Sequence, residues 1–80
     1  MTDIFRLSKK KVKTKFEDMI KKATPDAVRA GLIINWVRGP ILLEHSRGLY
    51  FWTGSCIVHA AGYKDTLLVC DADDDGWMVR

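Results

Sequence analysis

No apolar run in this chain of 80 residues reaches the roughly 18 needed to span a bilayer. The lysines near its start are not followed by the seven to fifteen apolar residues, roughly, of a leader. A spanning helix is therefore excluded, and neither a standard export signal nor a membrane partner is expected. Cysteine is scarce too: Cys56 and Cys70 are the only two, whereas secreted domains of this size usually carry a disulfide framework of four or more. Reduced thiols and a cytoplasmic location are the expectation. Internal repeats, low-complexity tracts and linker-like stretches are also missing, which predicts one domain over residues 1–80. Isolated glycines such as Gly48 and Gly54 make no phosphate-cradling loop. At 48% hydrophobic and 10% aromatic residues, the chain is too apolar to be disordered.

What it has in quantity is charge, unevenly placed. Eight of the thirteen basic residues fall in positions 1–22, giving 8 basic against 3 acidic groups there, or +5. Residues 64–80 hold 2 basic against 5 acidic groups, or −3, with four aspartates between Asp71 and Asp75. Surfaces of this kind dock on macromolecules by field complementarity, although charge alone names no partner.

The clearest local pattern is Val12, Phe16, Met19, Ile20 and Ala23, whose spacing marks one face of an amphipathic helix over residues 8–23. Ser8 is its natural N-cap, with Leu7 and Val12 placed as a hydrophobic staple. Lys9, Lys10 and Lys11 occupy the first turn, where the helix dipole disfavours cations by about 0.3 kcal/mol or more each. Thr24, Pro25 and Asp26 read as a second helix start and Gly39 with Pro40 as a stop, predicting a helix over 25–38. The nearly continuous apolar stretch Leu32 to Val37 also fits a strand following a short helix that ends at Gly31. Beyond Pro40, short β-rich segments alternate with turn residues: 41–44, 49–53, 56–59, 66–70 and 77–79, with turns at 45–48, 53–55 and 62–65. The last hairpin, looped at Asp73 to Gly76, should set Ala72 opposite Trp77 and Cys70 opposite Val79. The predicted fold is α+β: two N-terminal helices packed on an antiparallel sheet of four to five short strands.

Several residue groupings invite a chemical reading. Asp71, Asp73, Asp75 and Gly76 match the opening of a calcium loop, but the bidentate Glu would fall after Arg80, so a solvated hairpin tip is favoured over a metal site. Cys56 and His59, with Cys70 and His45, offer thiolate and imidazole ligands or a nucleophilic pair. However, 56 and 59 point to opposite faces of a strand, so buried core cysteines fit better. Ser8 to Lys11 spells S-x-x-K without its companion motifs, and no catalytic residue, metal or cofactor is expected.

The stronger functional residues are the lysines. Lys9, Lys10, Lys11, Lys13, Lys15, Lys21 and Lys22 surround the polar arc of the first helix, an array suited to phosphates or to an acidic protein patch. Asp71, Asp73, Asp74 and Asp75 form the opposing acidic group. On the strand carrying Leu49 to Trp52, Tyr50 and Trp52 share a face, a candidate stacking platform, partner anchor or homodimer interface.

In its small size, its lack of catalytic motifs and its charged surfaces, the chain resembles the inhibitors that phages and mobile elements make against host defence, among them the anti-CRISPR proteins. The resemblance lies in this profile and transfers no site. It implies a non-enzymatic, stoichiometric inhibitor in the host cytoplasm, docking on a protein or nucleoprotein complex to block target DNA binding or nuclease recruitment. The lysines would meet an acidic patch or guide RNA, and the aspartates would imitate phosphates. Direct nucleic-acid binding by the lysine helix is the alternative, and a small metal-binding or hydrolytic protein is a third and lesser one.

Overall fold

The computed structural model describes residues 6–80. Its first helix, α1, runs Lys9–Ala23 and begins as its sequence indicates: the Ser8 hydroxyl accepts the Lys11 N–H at 3.2 Å, while Leu7 packs against the cluster containing Val12.

After α1 the chain departs from the expected pair of packed helices. The second helix, α2, is only Pro25–Arg29. Thr24 does not cap it; its hydroxyl instead donates to the Ile20 carbonyl at 2.7 Å and closes α1. Gly31, at a φ of 85°, takes the left-handed position that ends α2. From there the Gly31 and Leu32 N–H groups return to the Val28 and Ala27 carbonyls, each at 3.0 Å, a Schellman termination. The chain then leaves as a strand, so the helix expected over 25–38 is replaced by its alternative, in which β-branched Ile33, Ile34 and Val37 extend. The architecture is still α+β, but it is one 15-residue helix and a short helical piece with a four-stranded antiparallel sheet.

The strands are β1 (Ile33–Ser46), β2 (Leu49–His59), β3 (Thr66–Asp73) and β4 (Gly76–Val79), adjacent in chain order. Two expected breaks lie inside strands. Gly39 and Pro40 belong to β1, where the register with β2 shifts between Arg38 and Ile41. This is an edge strand at a bulge, the setting where a proline without an N–H disrupts the ladder least. Across from it, Thr53 to Ser55 continue β2 rather than turning. Gly54 lets the two backbones approach closely there, since a Cβ would lie 3.0 Å from the Arg38 carbonyl oxygen and 3.1 Å from the Pro40 nitrogen. The final hairpin forms with Ala72 opposite Trp77 and Cys70 opposite Val79.

Side-chain alternation divides the sheet sharply. Trp52, Cys56, Cys70 and Ala72 face α1 and, with Val12, Phe16 and Ile20, form the core. Phe16 is its centre, with ring centroids 5.0 Å from Trp77 in an edge-on arrangement and 6.3 Å from Trp36. The Trp36 Nε1 donates to the Glu17 carboxylate at 2.9 Å and ties β1 to the helix. Among the described residues no second layer covers the other face, where Ile57, Leu67, Val69 and Met78 are exposed.

Candidate functional site

A straight helix of 3.6 residues per turn sorts the seven lysines of α1 into three positions. Lys10 and Lys21, eleven residues apart, lie about 120–140° around the axis from Phe16, to one side of the outward pole that Thr14 and Asp18 occupy. Lys11, Lys15 and Lys22 form a stripe on one flank, where the Lys15 ammonium lies 5.7 Å from the centre of the Trp77 ring. Lys9 and Lys13, about 20° and 60° around the axis from Phe16, border the buried face. The ammonium end of Lys9 reaches over Gly39 of β1, and Lys13 is half-buried while the other six are exposed. Among the described residues none of the seven forms an ion pair with a carboxylate, so the array is electrostatically uncompensated except by Glu17 and Asp18 in the same helix.

The aspartates are less available than their clustering suggests. Asp71 lies on the face of the sheet away from α1, where it accepts the Thr53 hydroxyl at 2.8 Å and pairs with Arg80. Asp73 accepts the Asp75 N–H at 2.8 Å and so shapes its own turn. Asp74 and Asp75 are the members left to face solvent with their carboxylates. The two charged groups also adjoin rather than oppose one another, because Trp77, which carries Lys15 over its ring, follows the acidic turn directly. Among the described residues no group of three His, Cys, Asp or Glu is placed to hold a metal ion.

The aromatic pair separates as well. Trp52 is only 7% exposed and belongs to the core, which corrects its reading as an exposed platform; Tyr50 on the same face is 39% exposed. Tyr50 lines an open trough of about 410 Å³ with His45, Phe51 and the aspartates of the β3–β4 turn. The edge of His45 meets Phe51 at 6.0 Å between ring centres, and His59 pairs with Asp65. His59 points away from the helix-facing side that holds Cys56, so neither histidine meets a thiol. Ser8 is engaged as the α1 cap.

Cys56 and Cys70 are both fully buried as free thiols. Burial pushes the Cys70 thiol up to about 12, assisted by the neighbouring Cys56, and raises Cys56 as well. Thiols held protonated in this way are poor nucleophiles and poor metal ligands at neutral pH. The contribution of the raised Cys70 thiol to stability is complete below the ordinary thiol value of 9.0 and is lost as pH rises toward about 12. Urea midpoints should therefore fall between pH 9 and pH 11, by up to about 3 kcal/mol in unfolding free energy. Cys70→Ala should show a shallower fall over the same window.

An open apolar groove of about 500 Å³ lies between the end of α1 and the sheet, walled by Ile20, Leu32, Val58, Tyr63 and Leu68. Two of its polar side chains are already engaged, Asp26 with Arg29 and His59 with Asp65. No helix among the described residues is long and apolar enough to cross a membrane.

One surface escaped the sequence reading: the uncovered side of the sheet. Its signal was the alternation of Phe51, Thr53, Ser55 and Ile57, which a supposed turn at 53–55 interrupted. Comparisons with protein-family models, curated proteins and solved structures give no match for this chain.

Proposed function

We propose that this protein is a non-enzymatic binding module that acts by occupying an acidic surface of another macromolecule, with the outward lysines of α1 as its principal contact. The observation that carries this reading is the set of uncompensated lysines on one helix. Three of them hold first-turn positions that helix stability alone disfavours. A chain under no other demand gains from acidic residues there, and α1 has none in that turn. The separation of the histidines from the thiols supports a role without catalysis.

In its narrower form the proposal is a stoichiometric inhibitor of a nucleoprotein complex, of the anti-CRISPR kind. Its support is the small size and the lysine surface. Phosphate imitation by the aspartates draws less support, since Asp71 and Asp73 are engaged within the fold.

Capture of tagged protein from its source cell is the test. The expected result is a fixed-ratio complex in size exclusion that survives nuclease treatment and is weakened at least about tenfold, or ~1.4 kcal/mol, by Lys10, Lys11, Lys21 and Lys22→Glu. A complex indifferent to those four changes would defeat the assignment of the surface. Direct nucleic-acid binding is the second reading, favoured by the same unpaired lysines. It predicts instead a mobility shift of DNA or RNA by the protein alone, with a steep salt dependence.

A further inference from the structure

The side of the sheet away from α1 is the largest uncovered apolar feature of the fold. Val37, Leu43, Ile57, Leu67, Val69 and Met78 are each 36 to 64% exposed. Ladder partners make them neighbours: Ile57 stands opposite Leu67, Val69 opposite Ser55, and Met78 opposite Asp71. Val37 and Val69 line one shallow depression with Thr53 and Ser55. Together these side chains leave roughly 500 Å² of apolar surface in water, near the top of the ~300–600 Å² that the largest patch on a soluble monomer reaches.

We infer that this face is closed by a second copy of the chain, the two sheets packing face to face with both α1 helices outermost. Area is the first argument. Two such patches joined bury about 1,000 Å² of apolar surface before any polar contribution, the size at which specific interfaces begin.

Charge is the second argument. The lysine surface of α1 repels its own copy, whereas the open sheet face carries Arg38 and Arg80 against Asp71 and Asp73 and is close to neutral. Self-association through it brings no net like-charge repulsion.

The third argument is that the Asp71 carboxylate near its centre is already satisfied. The Thr53 hydroxyl and Arg80 both bond to Asp71, so a dry contact leaves that carboxylate paired rather than stranded. Antiparallel sheets that bury one face in this way stack about 10 Å apart with strands inclined by about 30°. Such a sandwich presents two α1 lysine surfaces on opposite outer sides, which makes the assembly bivalent toward an acidic target. The inference does not depend on what the lysines bind.

Sedimentation velocity over a range of protein concentrations is the measurement. The wild-type chain should sediment at about twice its 9.1 kDa mass. Leu67→Lys and, separately, Met78→Lys should each shift the dimer dissociation constant at least about tenfold toward monomer. Both side chains are more than half exposed in the single chain, so neither change removes a core contact, and cooperative thermal melts confirm that each variant is folded. Val28→Lys, on α2, should leave the dimer intact. A wild-type protein that stays monomeric throughout the range would overturn the inference. So would a dimer that persists in the folded Leu67→Lys/Met78→Lys double variant.

Discussion

Phe16→Ala should lower the unfolding free energy by about 3–5 kcal/mol, the usual cost of emptying a phenylalanine site in a closed core. Phe16 is 0% exposed, and its ring centre lies 5.0 Å from that of Trp77 in β4 and 6.3 Å from that of Trp36 in β1. A chain of this length has about 4–12 kcal/mol of stability in all, so the variant should be marginal or unfolded at 37 °C. Urea denaturation at unchanged slope gives the value directly. A loss below about 1 kcal/mol would place the centre of the core elsewhere.

Gly54→Val should be comparably damaging for a different reason. The added Cβ would lie 3.0 Å from the Arg38 oxygen, 3.1 Å from the Pro40 nitrogen and 3.2 Å from the Pro40 Cα. All three are backbone atoms at a β-bulge, which cannot rotate aside as a side-chain tip would. The β1–β2 ladder must widen where it is already irregular. Overpacking of this kind costs about 1–3 kcal/mol for alanine, and valine, with two further carbons, should exceed that range. Comparing Gly54→Ala with Gly54→Val by chemical denaturation tests the ordering, and amide spectra should locate the disturbance at 36–42 and 52–56. If valine proves as mild as a surface change, the close approach of the two backbones is refuted.

The same glycine explains much of what the sequence concealed. In a single sequence, Thr-Gly-Ser between two apolar segments has the composition of a turn, and only the opposing Pro40 reveals it as a strand that must lack a side chain. Reading it as a turn split β2, hid the alternation of its odd-numbered residues and so hid the uncovered face. Gly39-Pro40 misled in the complementary way, since a proline that would end a helix is tolerated in an edge strand. At 32–37 the apolar run fitted two periods at once, and the deciding signal was Gly31, placed to end a helix four residues after Ala27.

Where local chemistry was unambiguous, the structure followed it. Ser8 and the spacing of Val12, Phe16 and Ile20 specified α1, and the Asp-rich turn specified the pairing of Ala72 with Trp77. Of the candidate site, the lysine positions were legible because a helical period alone places them. Asp71 and Trp52 were not, since their neighbours come from other elements: Asp71 is engaged by Thr53 of β2 and by Arg80, and Trp52 is buried beneath α1.

Retention on immobilised heparin, a generic polyanion, measures most directly whether the α1 lysines form an open anion-facing surface. The wild-type protein should bind and elute at a salt concentration that falls sharply when Lys10, Lys11, Lys21 and Lys22 become glutamate, with a reduced salt dependence. Those four are exposed and the changes balance at the two helix ends: glutamate is favoured by the dipole in the first turn and disfavoured in the last, by about 0.3–1 kcal/mol each. The melting temperature should accordingly hold. Equal retention of wild type and variant, or no retention of the wild type at low salt, would contradict a docking role for the lysine surface.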